Sequence, residues 1–356
     1  MNKNWKSRRD VIKGWILQKV NMDIYKLQKL YVLLSIIIIT VLFSACSTAD
    51  VYTSSNKSMV NFINGKNEIS LVTFNIKAVY KKEENQVDTL MKFVKDGKYD
   101  FVLFQELFNE STRDYILEHT DTTFYKTIIS RIDYNSFPEF LFQDAGLYMM
   151  SRFPLISLSN IDFGDDVKES NGVIHMILKK EMSHTYDWLA NKSVLGALFN
   201  ITDSTKLFLF TTHVQAIGSM EIKNFQLEQI RDFIKNAVLK VVKSKLVNSP
   251  KNLVVLLAGD FNSDAYNFQR DQNLIRLLDN PRDLDKEFNG NKRNYTFRFS
   301  HGRGSRRFDY ILAYDTIDSL QLRRVTAESV GAYDLKDNKN VSISDHSALR
   351  AIIKIK

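Results

Sequence analysis

Eight side chains in this 356-residue chain have types and settings suited to chemistry: Asn75, Glu106, His213, Asp260, Asn262, Asp309, Asp345 and His346. They fall in six short segments, Thr73-Phe74-Asn75-Ile76, Phe104-Gln105-Glu106, Thr212-His213, Gly259-Asp260-Phe261-Asn262, Arg307-Phe308-Asp309-Tyr310 and Ser344-Asp345-His346. Most of these close an apolar, strand-like run, such as Ile69–Ile76, Phe101–Gln105, Lys206–His213 or Leu253–Asp260, where a strand gives way to a loop and polar groups can converge on one cleft. Carboxylate and amide oxygens are the donors a hard divalent cation takes, and imidazoles move protons near neutral pH. Together they supply what phosphodiester hydrolysis requires: a water made nucleophilic, neutralisation of the phosphoryl oxygens and a proton for the leaving oxygen.

In this order the six segments resemble the endonuclease/exonuclease/phosphatase superfamily, which includes DNase I, the AP endonucleases, inositol polyphosphate 5-phosphatases and neutral sphingomyelinases. The resemblance runs from about Ile69 to Lys356. Any one segment recurs by chance, whereas all six in family order do not. The resemblance implies an α/β (α+β), DNase I-like fold, a four-layer sandwich of two facing mixed β-sheets flanked by helices. It implies Glu106 as the principal ligand of Mg²⁺, with Mn²⁺ as a substitute and with Asn75 and Asp345 nearby. It makes His346 the general base, oriented by Asp309, with Asp260 as the other candidate for that role. Asp260 and Asn262 would bind the phosphate and orient the attacking water, and His213 would stabilise the pentavalent phosphorus or protonate the leaving group. His119, His175, His184 and His301 match no motif and read as surface or packing residues.

Within the superfamily, Asp187–Leu195 followed by Phe208–Ala216 looks most like the neutral sphingomyelinases. That branch opens its strand with Lys-Gly, where this chain has Lys192-Ser193. Lys192 is therefore a candidate phosphate contact, with a solvated strand-end lysine as the alternative. The expected reaction is cleavage of a phospholipid headgroup phosphodiester at a membrane surface. The second reading is an exported endonuclease of the DNase I type, acting on nucleic acid. A phosphoinositide phosphatase fits less well, because that branch follows its late aspartate with arginine and Asp309 is followed by Tyr310. A noncatalytic surface module would be expected to lack a core ligand, and none is missing. Nothing in the sequence indicates a protein partner.

Charge bears on the nuclease reading once it is divided along the chain. Met1–Leu30 holds eight basic residues against two acidic ones, a net of +6 out of the formal +8, so about +2 belongs to the remainder. A nonspecific nuclease draws its affinity from an extended basic surface. The one local concentration is Lys292, Arg293, Arg298, Arg303, Arg306 and Arg307, which approaches Asp309.

Residues 1–46 form the expected export segment. The uncharged apolar stretch Leu30–Ala45 follows Lys26 and Lys29 and is short for a membrane-spanning helix of about 20 residues. Ser44-Ala45-Cys46 resembles a bacterial lipobox, with Phe43 where leucine is usual. The alternatives are a lipid-modified Cys46 and a signal-anchor helix, and both put the enzyme outside the cytoplasm, tethered to a membrane. Met22 is a plausible alternative start, and the Arg8-Arg9 pair is set off from the apolar stretch by charged residues. Cys46 is the only cysteine, so no disulfide forms within the chain.

Residues 47–68, polar and rich in Ser, Thr and Asn, read as a tether, and 69–356 as one catalytic domain with a single large core. Helical patterns are expected over Gln86–Lys95, Ser111–His119 and Met220–Leu246, the last with Phe225 among its buried positions. Strands are expected over Gly146–Ser151, Lys192–Ile201, Lys206–Phe210, Leu253–Ala258, Arg307–Ala313 and Ser347–Ile355, with a hairpin around Asp203-Ser204.

Overall fold

A computed structural model describes residues 28, 29, 31, 35, 48–54, 67–134, 144–182, 186–299 and 304–356. The chain divides into two compact units, Met1–Cys46 and Ser47–Lys356. The apolar stretch apart from residues 31 and 35, together with Cys46, His184, His301 and Arg303, lies outside the described residues. Among the described residues no helix is long and apolar enough to cross a membrane.

The second unit is built on two large sheets. One orders its strands Thr48–Thr53, Thr127–Tyr134, Tyr148–Ser151, Phe101–Leu107, Glu68–Ala78, Ala348–Ile355 and Val325–Tyr333. The other runs Arg282–Asp283, Asp309–Tyr314, Leu253–Asp260, Lys206–His213, Ser193–Asn200, Val173–Ile177 and Lys168–Ser170, with Leu155–Ile156 also paired to Ser193–Asn200. Each sheet carries one parallel pair near its centre, Glu68–Ala78 with Phe101–Leu107 and Lys206–His213 with Leu253–Asp260, and the other pairings are antiparallel. Both sheets are therefore mixed, as the resemblance implies.

Period-two alternation assigns each strand's side chains to a layer. Leu71, Phe101, Leu103 and Leu349 from the first sheet meet Leu195, Leu207, Leu209, Leu256 and Ile311 from the second in one core between the sheets. Alternate residues of the first sheet, Val72, Phe74, Val102 and Phe104, face outward onto Val87, Leu90 and Val94 of the helix Glu84–Gly97. On the second sheet Phe208, Phe210, Val255 and Leu257 face outward onto Ile230, Phe233 and Ala237 of the helix Met220–Lys243. Four layers result, because the strands are apolar on both faces and each face needs cover.

Three expectations are corrected. Thr48–Thr53 belongs to the stretch read as a tether, yet it pairs antiparallel with Thr127–Tyr134 as an edge strand. Its β-favouring Thr, Val and Tyr residues and the fully buried Ala49 outweigh its polar composition. Phe225, expected to be buried, is exposed, and Lys179 stands over its ring. In the basic stretch before Asp309, Lys292, Arg293, Arg298 and Arg306 are exposed, but Arg307 is not. Arg307 is fully buried between Asp283 and Asp285, Arg298 pairs with Asp334, and Arg306 pairs with Asp264.

Arg307 also fixes the strand that carries Asp309. Its guanidinium lies over the Tyr310 ring at 4.7 Å, and its backbone carbonyl accepts from the Ala265 N–H. Removing one partner of a buried ionic group leaves uncompensated charge, here two carboxylates. Arg307→Met is expected to cost about 3–5 kcal/mol in chemical denaturation, and a loss below about 1 kcal/mol, the scale of an exposed pair, would contradict this role.

Candidate active site

The two parallel pairs end at one edge, and that edge gathers the site. His213 is opposite Asp260 in one pair, and Asn75 is opposite Gln105, one residue before Glu106, in the other. Asp309 begins an antiparallel neighbour directly opposite Asp260. His346 precedes the strand Ala348–Ile355, whose Leu349 is opposite Thr73. C-terminal ends of parallel strands and N-terminal ends of antiparallel ones thus meet between the sheets.

Close backbone approach at this edge explains the glycine before Asp260. A β-carbon on Gly259, whose φ is +150°, would stand 2.1 Å from the Thr212 carbonyl oxygen. Glu106 and Asn262 both take left-handed backbone conformations, with φ of 56° and 47°. Such conformations are uncommon outside glycine and cluster at functional sites.

Asp260 is fully buried at the centre. Its Oδ2 accepts from Asn75 Nδ2 at 2.9 Å and its Oδ1 from the Asn262 N–H at 2.9 Å. The same Asn75 amide donates to Glu106 Oε1 at 2.9 Å. His346 Nε2 stands 3.5 Å from Asp260 Oδ2, while its Nδ1 is 2.9 Å from Asp309 Oδ2. His213 Nε2 lies 3.5 Å from Glu106 Oε1 and 3.3 Å from Asn262 Nδ2. Asn75, Glu106, His213, Asp260, Asn262, Asp309 and His346, separated by up to 271 positions in the chain, therefore form one cluster.

Two of the expected residues are placed differently. Asp345 bonds Lys77 Nζ at 2.6 Å and belongs to neither group of converging metal-type ligands, which are Glu106 with His213 and Asp260, and Asp260 with Asp309 and His346. Lys192 is not a solvated strand-end lysine. Its side chain is 1 % exposed, and Nζ is 2.7 Å from Asp187 Oδ1.

The electrostatics set the two imidazoles apart. Burial alone would lower the His346 pKa, but the carboxylates of Asp309 and Asp260 outweigh it and raise the value to about 10. His213 goes the other way: burial, then the positive charges of Lys192 and His346, push it well below the ordinary range. Asp260 is pushed up to about 7, chiefly by burial, with Asp309 adding to the rise and His346 opposing it. His346 is thus held as an imidazolium and His213 as a neutral ring, while Asp260 is poised near neutrality.

Several residues at this edge carry no motif. Thr296 Oγ1 accepts the backbone N–H groups of Phe308 and Asp309, which holds the orienting carboxylate in place. Phe297 stacks edge-on to His346 at 4.9 Å between ring centroids. Lys82 donates to the Ile343 carbonyl, and burial, partly offset by Asp345, lowers its pKa to about 8. In sequence Lys82 sits in the charge run Lys81-Lys82-Glu83-Glu84, which reads as a solvated face, so only its burial distinguishes it.

Because the folded state holds the His346 proton above the ordinary value, its contribution to stability is full below about pH 6.5 and is lost as pH rises through about 10. In NMR titration of the metal-free protein, the His346 ring is expected to stay protonated beyond pH 8. Asp309→Asn should lower its midpoint by at least about one unit. A midpoint near about 6.5 in the unsubstituted protein would mean the two carboxylates do not hold the proton.

Residues 72–346 match the model of the Endonuclease/Exonuclease/phosphatase family. An uncharacterized protein of Dictyostelium discoideum is 28% identical over 235 residues, which is 63% of this chain and 19% of that protein's length. Among solved structures, beta toxin from Staphylococcus aureus with bound magnesium ions aligns at TM-score 0.55 and 18% identity, covering 80% of this chain and 99% of that one. Sphingomyelinase C from Streptomyces griseocarneus aligns at 0.51 and 17% identity, covering 80% and 99%. D. rerio TDP2 complexed with a single-strand DNA product aligns at 0.52 and 17% identity, covering 80% and 98%. These likenesses establish the shared fold, and the family match extends over most of the chain. The chain belongs to the Endonuclease/Exonuclease/phosphatase family.

Proposed function

We propose that this enzyme is a Mg²⁺-dependent phospholipase of the sphingomyelinase type, cleaving a phospholipid headgroup phosphodiester. The observation that carries the reading is the pairing of His346 with Asp260 across 3.5 Å, flanked by Glu106 and a neutral His213. Two observations favour a lipid over nucleic acid. The arginines before Asp309 are largely neutralised within the protein, so they do not make the extended cationic track that phosphate-backbone affinity draws on. A cleft of about 360 Å³ beside His346 is walled by Phe297 and Phe299, and its two cations, Lys77 and Arg298, are paired with Asp345 and Asp334 in the same lining. The aromatic walls suit the apolar part of a lipid.

The donor set fits a hard divalent cation. Glu106, Asp260 and His213 offer ligand atoms within 4.8 Å of one another. Glu106 and Asp260 would hold the ion through carboxylate oxygens; the Asn75 amide nitrogen faces both of them, and its oxygen accepts from the Lys77 N–H. When bound, Mg²⁺ supplies neutralisation of the phosphoryl oxygens.

The protein groups divide the remaining work. The attacking water forms the new P–O bond and gives its proton to the Asp260–His346 pair. Asp260 and His346 stand 3.5 Å apart, so the proton is shared between them. Asn262 orients the water and phosphate. The bond to the lipid alkoxide breaks, and that oxygen takes up a proton from solvent as it leaves. His213, neutral beside Lys192, faces the phosphoryl group. Lys192, expected to contact the phosphate directly, acts in this arrangement through its charge beside His213. Export and tethering at a membrane, proposed from residues 30–46, would bring the cleft to its substrate.

A panel of sphingomyelin, phosphatidylcholine, DNA and a phosphoinositide, each with Mg²⁺, tests the assignment. Choline-phosphate release is expected only with metal, and Glu106→Gln should lower it by a factor on the order of 100 or more. Cleavage of DNA alone would replace the lipid reading with the endonuclease one. Full activity in chelator would remove the metal from the proposal.

The dyad has its own test. Asp309→Asn works through His346, so its loss of kcat should not add to that of His346→Ala, and the double variant should match His346→Ala within about twofold. Additive losses would show that the two residues act independently.

A further inference from the structure

The outer face of the first sheet holds a second cleft. The helix Glu84–Gly97 and the segment His119–Tyr125 enclose about 320 Å³ there, at the lower end of the roughly 300–1,000 Å³ typical of small-molecule sites. The residues that form the catalytic edge point to the opposite, inter-sheet side, because Asn75 alternates with Phe74, which faces this helix. Met91, Val94 and Phe124 make the walls apolar.

Three lysines, Lys92, Lys95 and Lys98, also line the cleft. Lys92 is paired with Asp96 at 3.1 Å. The ammonium groups of Lys95 and Lys98 have no hydrogen bond or ion pair among the described residues. Asp121, the carboxylate in the lining, takes the Thr123 hydroxyl and the backbone N–H groups of Thr123 and Phe124 on Oδ1. The Lys95 charge acts on it as well, which leaves Lys98 as the less compensated of the two lysines. The helix macrodipole favours lysines at this C-terminus, but it does not account for the hollow.

We propose that this cleft binds a single-chain anionic amphiphile, its alkyl chain along Met91, Val94 and Phe124 and its charged headgroup between Lys95 and Lys98. A free inorganic anion would leave the apolar walls unused, and a neutral chain would leave the lysines unmatched. The combination of both recognises both parts of one molecule.

Titration calorimetry of the full chain with decyl phosphate, below its micelle concentration, tests this. One-to-one binding is expected, unchanged by saturating inorganic phosphate, which would compete at a catalytic phosphate site. Lys95→Glu with Lys98→Glu should weaken binding roughly tenfold or more, about 1.4 kcal/mol or above, and Met91→Trp should block the chain. Both variants should keep the parent melting temperature. If Met91→Trp fails to fold, the exposed lysine pair decides alone. Absence of binding would overturn the proposal. So would binding that survives the lysine substitutions, displacement by inorganic phosphate, or equal binding of 1-decanol.

Discussion

Asp260 is a carboxylate with no exposure to solvent, and the edge where the sheets meet is organised around satisfying it. An unpaired buried charge is too costly to persist, so the group must be hydrogen-bonded, paired or neutralised. Here Asn75 and the Asn262 N–H bond its two oxygens, and His346 brings an imidazolium to 3.5 Å. Each partner comes from a different strand or loop. Satisfying one carboxylate therefore fixes the relative positions of both sheets.

The same constraint explains why strand register matters so much. Asp260 is opposite His213 on one side and Asp309 on the other. A slip of one residue in either pairing would turn the functional side chains out toward the helices and bring apolar ones into the cleft. Gly259 keeps the register possible by letting the Thr212 carbonyl approach. Arg307, locked between two aspartates, prevents the strand carrying Asp309 from shifting.

One residue type serves two purposes because its surroundings differ. His346 sits between two carboxylates and holds its proton, whereas His213 is buried beside the Lys192 charge and loses it. Separating the proton affinities of two like groups by environment is a general way to assign acid and base roles. Burial with the Lys192 charge lowers one, and the carboxylates of Asp309 and Asp260 raise the other.

The chain sequence by itself determined the order of the six segments, the ends of the central strands and the residue types of the cluster. These are local properties: apolar runs closed by polar residues mark strand ends whatever the rest of the chain does. It therefore pointed to the family, the mixed sheets and seven of the clustered side chains. Tertiary structure alone decided what depends on neighbours distant in sequence. Thr48–Thr53 looks like a linker until Thr127–Tyr134 supplies its hydrogen bonds. Arg307 looks like part of a basic surface until Asp283 and Asp285 enclose it, and Lys192 looks like a phosphate contact or a solvated strand end until Asp187 pairs with it in the interior. Burial and charge compensation are set by the whole packing arrangement, so the proton states of His213, His346 and Asp260 follow from the fold and not from the residues that name them.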